Sequence, residues 1–326
     1  MKYRTYFVLR GDNEHLARGE LRALLEVFGE KCFVECYPML CLSDCSEVVA
    51  TGVTARAGFV KEAGRVIGVF NVYSEGDARE AGVVLGGVAH VSVFKSTVSS
   101  SAVEEFKRRA GVVEKIGGLG EKRLIFTSGL AVAGVKLSEQ SYGELLKRAR
   151  SLPFRRSISL TPDLARALVN LSRARRGCVL VDPFAGTGMI LVEAWSMGVR
   201  GVAVDVDWRL VKGMKQNFEH LGVNAVPVVG DSRYNVFSEV DHVATDLPYG
   251  RGASTHGAEI RELYRLFFER LSEYLSRRGY ACFMAPLWLE DYVDDVLDSS
   301  GFRLVGRYYD YVHSSLTRSI SVVVRK

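Results

Sequence analysis

Apolar positions along the chain follow two rhythms, a two-residue or continuous one that predicts strands and a 3.6-residue one that predicts helices. The opening residues 1–10 read as a strand. Asn13-Glu14-His15 then caps an amphipathic run with Leu16, Leu21, Leu24, Leu25 and Phe28 that ends at Gly29. Short strands follow around 32–36 and 39–42, a helical pattern covers 47–61, and 65–70 reads as a strand. That order, β-α-β-β-α-β, predicts a small ferredoxin-like unit. Next come a helix over 78–85, a strand over 88–94, a serine-rich link, a basic helix over 102–109, a glycine loop at 117–120, and strands over 123–127 and 131–137. A charged helix-like connector from 142 to 157 ends in Pro153-Phe154-Arg155-Arg156, where a proline beside paired arginines predicts a domain boundary.

In the second half, four successive strands each deliver an acid. Thr161 and Pro162 open a helix with Leu164, Leu168 and Leu171 on one face. The run Cys178-Val179-Leu180-Val181-Asp182-Pro183-Phe184-Ala185-Gly186-Thr187-Gly188 then passes from strand through a glycine loop into a helix. Gly186 and Gly188 allow close backbone approach to a ligand, and Asp182 suits a cationic head group. A dinucleotide site needs a third glycine, and Leu191 stands in its place. The strand over 201–205 ends at Asp205, suited to paired ribose hydroxyls, while Asp207 fits a helix cap before Trp208. The strand over 225–230 delivers Asp231 and Ser232, suited to an adenine amino group. The fourth runs Val243-Ala244-Thr245-Asp246-Leu247-Pro248-Tyr249-Gly250. An apolar run closed by Asp, Pro and Gly predicts a buried strand breaking into a loop, and ligands bind off such strand ends in open α/β sheets. Acids inside strands are costly and chance would scatter them, so four at successive strand ends point to one site. A helix over 258–278, a strand over 279–285, a helix over 289–299 and a hairpin over 302–312 and 316–324 complete the sheet.

Composition narrows the class. The chain has 326 residues, 48% hydrophobic and 25% charged, enough for two or three domains. It lacks the apolar stretch of roughly 20 residues that a membrane span needs, and its start lacks a signal-peptide core, so a cytoplasmic protein is expected. A net charge of +5 permits a polyanionic partner. The clusters Lys107-Arg108-Arg109, Lys147-Arg148 with Arg150, and Arg155-Arg156 suit an RNA backbone, or else solvated helix faces. Cys32, Cys36, Cys41 and Cys45 fall in one short window without the Cys-x2-Cys spacing of structural zinc, and no histidine pair has ligand spacing, so no metal is expected. Free thiols are the ordinary intracellular expectation. Glutamine occurs only at Gln140 and Gln216, which suggests a heat-adapted source and leaves one or two disulfides open.

Asp246-Leu247-Pro248-Tyr249 resembles the (Asp/Asn/Ser)-Pro-Pro-Tyr signature of S-adenosylmethionine-dependent amino-methyltransferases, with Leu247 in place of the first proline. An aryl amine is a poor nucleophile because its lone pair is delocalised into the ring. Acceptors on both N–H groups localise that pair, and Asp246 and the Leu247 carbonyl are the candidates. Pro248 still biases its predecessor toward extended backbone, and Tyr249 offers a face for a flipped-out base. With residues 182–188, Asp205, Asp231, the segments 153–160 and 168–171, and the tail Val312-His313-Ser314-Ser315-Leu316-Thr317-Arg318, the stretch is similar to archaeal tRNA guanosine-10 N2-methyltransferases.

The resemblance implies an α/β chain with a Rossmann-like seven-stranded methyltransferase domain over 158–326. Before it are expected a ferredoxin-like domain over 1–65, a THUMP-like RNA-binding domain over 66–138 and a linker over 139–157. It further implies S-adenosylmethionine as cofactor, tRNA as partner, and one or two methyl groups placed on guanosine at position ten; separately, a monomer is expected. The catalytic set is expected to be Asp246, Leu247, Pro248 and Tyr249. The cofactor set is expected to be Thr161, Asp182, Phe184, Ala185, Gly186, Thr187, Gly188, Asp205, Val206, Asp231, Ser232 and Asp246. Two other readings stay open: an amino-methyltransferase acting on adenine or cytosine of DNA or another RNA, and a non-catalytic RNA-binding protein with a decayed cofactor site. Arg251 and His256 receive no chemical role.

Overall fold

The computed structural model describes residues 2–94, 98–115, 118, 120–156, 159–234, 237–249 and 257–326, without the side chains of 257 and 258. Gly250, Arg251 and His256 lie outside the described residues, as do Ser157, Ile158 and part of the glycine loop at 117–120. The chain forms two units, Met1–Ser141 and Tyr142–Lys326.

In the first unit, β1 (Thr5–Leu9), α1 (Glu14–Phe28), β2 (Val34–Tyr37), β3 (Leu40–Ser43), α2 (Glu47–Arg56) and β4 (Val60–Asn71) follow the β-α-β-β-α-β order. After them come α3 (Glu75–Leu85), β5 (Val88–Val93), α4 (Ser100–Ala110), β6 (Val113–Glu114), β7 (Lys122–Thr127) and β8 (Leu130–Glu139). The strands form one sheet in the order β2-β3-β1-β4-β8-β7-β5-β6. Asn13 caps α1 by accepting from the Leu16 amide at 3.2 Å.

The helix expected to reach Lys61 stops at Arg56. Buried Glu20 of α1 accepts from the Gly58 and Phe59 amides at 2.7 and 2.8 Å, turning the chain into β4. β4 then crosses the boundary expected at 65/66, pairing with β1 on one side and β8 on the other, so a single sheet runs through both expected domains. Gly64 permits this closeness, because a Cβ there would stand 2.3 Å from the Tyr6 ring. The Tyr6 hydroxyl donates to buried Glu62 at 2.7 Å, and Arg123 closes the ion pair at 2.6 Å.

The basic cluster of α4 is partnered locally: Lys107 with Glu104, Arg108 with Glu105, and Arg109 with Glu105 and Glu75. Such exposed pairs add little stability and set an acid beside each of these cations. Cys36 and Cys41 oppose each other in the β2–β3 ladder and form a disulfide, whereas Cys32 and Cys45 are free thiols.

The second unit contains α5 (Tyr142–Ser151), α6 (Pro162–Leu171), β9 (Val179–Asp182), α7 (Met189–Ser196), β10 (Arg200–Asp205), α8 (Trp208–Leu221), β11 (Ala225–Val229) and β12 (Val240–Asp246). It continues with α9 (Gly257–Tyr274), β13 (Leu275–Pro286), α10 (Glu290–Ser299), β14 (Phe302–His313) and β15 (Leu316–Arg325). Its seven strands lie in the order β11-β10-β9-β12-β13-β15-β14, the first five parallel and β15 antiparallel to both neighbours. Tyr264, Phe267 and Phe268 of α9 pack against Phe283 of β13 and Phe302 of β14. Each such ring contributes about 1.5–3 kcal/mol by leaving water.

Most of the segment expected as a linker belongs to this second unit. Arg148 of α5 turns inward to fully buried Glu193 of α7 at 2.7 Å, and Arg166 of α6 donates to the same carboxylate at 2.9 Å. Phe154 exchanges backbone hydrogen bonds with the Asn217 side chain of α8 at 2.9 and 2.8 Å. A carboxylate on one helix therefore gathers two others, which a proline-based boundary rule does not anticipate.

Candidate active site

β11, β10, β9 and β12 are parallel neighbours, so the four acids read from the sequence stand along one edge of the sheet in the order Asp231, Asp205, Asp182, Asp246. The register staggers them. Asp182 lies opposite Ala203, two residues before Asp205, and Asp205 lies opposite Val229, two residues before Asp231.

Each acid has a distinct setting. Asp182 is buried, accepting from the Thr245 hydroxyl at 2.7 Å and the Phe184 amide at 3.2 Å. Burial pushes its carboxyl up to about 7, reinforced by the charges of Asp246 and Asp205 and opposed by those two hydrogen bonds. Asp205 accepts from the Gly186 and Asp207 amides, both at 2.9 Å, which ties the glycine loop to β10; burial raises its carboxyl too. Asp231 is held low by Arg233, which binds its carboxylate at 3.0 Å. Asp246 is pushed up to about 6, chiefly by burial, while the Tyr249 hydroxyl bond and the Arg318 charge pull it back. Tyr249 donates that hydroxyl to Asp246, and the Tyr249 phenol is itself raised by burial.

The loop residues divide in role. Gly186 has φ +54°, and a Cβ there would meet open space. At Gly188 a Cβ would lie 2.7 Å from both Met214 and Phe218, so this glycine lets α8 pack on the start of α7. Phe184 stacks edge-on against Phe267, and the Ala185 amide donates to the Val204 carbonyl at 2.9 Å. Thr187 donates its hydroxyl to Ser159 at 3.2 Å, and Ser232 donates to the Pro183 carbonyl, so both hydroxyls brace loops. Val206 is exposed, as is Thr161, which precedes α6 without a side-chain capping bond. Asp207 caps α8, accepting from the Arg209 amide at 2.9 Å.

Leu247 places its side chain in the core and donates its amide to the Met284 carbonyl at 3.0 Å. A proline at this position has no N–H and cannot make that bond. Leucine therefore extends the tie to β13 by one hydrogen bond. Tyr264 of α9 fixes the next residue, donating to the Pro248 carbonyl at 2.9 Å. Three contributors went unassigned in the sequence: Thr245 beneath Asp182, Tyr264, and Arg318, which lies 5.8 Å from the Tyr249 ring centroid and pairs with Asp310 at 3.2 Å. Thr245 adjoins Asp246 and Arg318 closes the quoted tail motif, but their partners follow from strand pairing alone.

The described geometry accompanies four similarities. A family model described as UPF0020, RMKL-like, methyltransferase domain matches residues 150–318. The tRNA (guanine(10)-N2)-dimethyltransferase of Methanothermobacter thermautotrophicus is 39% identical over 205 residues, 62% of this chain and 58% of that protein. The chain thus spans little more than half the length of that relative. A protein of the same name from Methanocaldococcus jannaschii is 27% identical, covering 97% of this chain and 98% of its own. The crystal structure of TrmN from Thermus thermophilus shares the fold at 20% identity and a TM-score of 0.59, over 99% of this chain and 100% of that one. Because that family model matches residues 150–318, just over half of the chain, the chain belongs to the UPF0020 family of RMKL-like methyltransferase domains.

Proposed function

We propose that this protein is an S-adenosylmethionine-dependent tRNA methyltransferase that alkylates the exocyclic N2 amine of guanosine at position ten. The observation that carries the reading is the Asp246–Tyr249 pair at the end of β12, beside the recessed carboxylates of Asp182 and Asp205. The charges of Asp246 and Asp205 both raise the Asp182 carboxyl, a cluster that favours a cationic ligand, and the open space at Gly186 leaves room for it beside Asp205. S-adenosylmethionine fits that demand with an ammonium and a sulfonium, and when bound it supplies an electrophilic methyl group. Asp182 would face the amino-acid head, Asp205 the ribose hydroxyls, and Asp231 with Ser232 the adenine edge. The names of the relatives support guanosine N2 as the acceptor.

The chain's own groups then do the positioning. Asp246 and the Leu247 carbonyl accept the amine N–H groups, drawing the nitrogen out of conjugation with the ring, and Tyr249 stacks the base. The proton released on transfer leaves past Asp246. The first unit engages the tRNA as a THUMP-like RNA-binding region. Incubation of a tRNA transcript with enzyme and cofactor, followed by nucleoside mass spectrometry, tests the reading. N2-methylguanosine or its dimethylated form is expected, and replacing guanosine ten by adenosine should remove it. Methylated adenosine or cytidine in its place, or no product, would overturn it.

A further inference from the structure

The tail strand of the sheet brings a cation to the site from outside the expected catalytic set. Arg318 on β15 stands directly opposite Asp310 on β14 in the antiparallel ladder, and the two form an ion pair at 3.2 Å. Opposite charges at facing positions of a ladder hold one another in register. On its other side Arg318 lies opposite Pro286 of β13, and its guanidinium carbon reaches to 5.8 Å from the centroid of the Tyr249 ring. That distance falls within the range of a cation–π contact. The Arg318 side chain is 14% exposed, so the contact is largely shielded from screening by water.

We propose that Arg318 is a positioning residue of the methyl-transfer site: a cation pinned by Asp310 and held over the Tyr249 ring, where it keeps the phenol hydroxyl directed at Asp246. The inference rests on the function proposed above. A positive charge over the ring makes the phenol a better donor, and the hydroxyl so directed occupies one lone pair of Asp246 while leaving its other acceptor sites for the amine. Among the described residues, the groups facing Asp246 are Tyr249 from its own loop, Asp182 from β9, Arg318 from β15, Asp310 from β14 and Tyr264 from α9. Arg318 is the cation among these, and it favours the ionised carboxylate against burial and against Asp310.

The test is the pH dependence of kcat/KM for tRNA in the wild type, Arg318→Met and Arg318→Lys, with S-adenosylhomocysteine affinity measured by calorimetry in each. Arg318→Met is expected to lose about tenfold in kcat and to move the acidic limb upward by about one pH unit, the size of effect of removing one nearby opposite charge. Its S-adenosylhomocysteine affinity should stay within about twofold of wild type. Arg318→Lys keeps the charge and should restore the limb even if its rate stays low. A limb that stays in place in Arg318→Met while the rate falls would overturn the proposal and leave a structural role, as would an unchanged rate. Should Arg318→Met fail to fold, a limb in Arg318→Lys displaced as far as about one unit would overturn it equally, and an unmoved limb with a lowered rate would support it. Absence of methylation by the wild type would count against the proposed function itself, so the two failures are distinguishable.

Discussion

Tyr249 donates its hydroxyl to the Asp246 carboxylate three residues earlier, across the turn that ends β12. A tyrosine retained for stacking alone has no need of that bond. Tyr249→Phe keeps the ring and removes a donor that lowers the Asp246 carboxyl. Base engagement should survive, with KM for tRNA within about threefold of wild type. The acidic limb of the rate profile should rise above its wild-type position. A coincident profile would show that the hydroxyl does not set the charge of Asp246.

The ionised Asp246 carboxylate is the stronger acceptor for an N–H, and burial pushes its carboxyl up to about 6. Activity is therefore expected to be full above that value and to fall as pH drops through it, a dependence measurable under single-turnover conditions. A rate constant unchanged down to about pH 4.5, near the ordinary carboxylate range, would contradict the assignment.

Asp182 links function to stability. Its folded-state carboxyl is raised from 3.8 to about 7, so the folded protein holds a proton that the unfolded chain releases between these values. Stability at this site is complete below the unfolded value and falls as pH climbs toward 7, by about 4 kcal/mol once both states are ionised. Asp182→Asn should raise Tm at pH 8 by several degrees and change it little at pH 4, while weakening cofactor binding. Calorimetry at the two pH values checks this, and an equal Tm gain at both would refute it.

Much of the candidate site was legible because Asp182, Asp205 and Asp246 close their strands and Asp231 follows the end of β11 by two residues, and strand ends are punctuated locally by glycine, proline and loop residues. Asp182, Asp205, Asp231 and Asp246 do line one sheet edge. What stayed hidden depends on tertiary partners. Glu20 ends α2 from another helix, Glu193 draws α5 into the second unit, and Asp310 delivers Arg318 to Tyr249. The packing of α8 on Gly188 stayed hidden too, because a glycine that admits a ligand and one that admits a neighbouring helix look alike in sequence.

Glu193 offers a direct test of that second kind of information. Glu193→Gln leaves the Arg148 and Arg166 guanidiniums without their shared carboxylate, a loss of about 3–5 kcal/mol for a buried charge network. Hydrogen exchange should accelerate along α5 before the sheet opens. Unchanged protection of α5 would mean that the helix is held by apolar contacts alone.

The Cys36–Cys41 bridge closes a loop of only 5 residues of separation, so its reduction should lower stability by about 2 kcal/mol by the loop-entropy relation. Peptide mapping without reductant should find that pair joined, with Cys32 and Cys45 alkylated once the chain is unfolded. A mixed pairing among the four would contradict the β2–β3 register.

The account turns on Asp246 as the group that holds the reacting amine. The most direct measurement compares Asp246→Ala with wild type in two readouts, single-turnover methyl transfer to tRNA and calorimetric binding of S-adenosylmethionine. Loss of transfer by at least about a thousandfold, with cofactor affinity largely kept, is the predicted result. Transfer at the wild-type rate in that variant would contradict it.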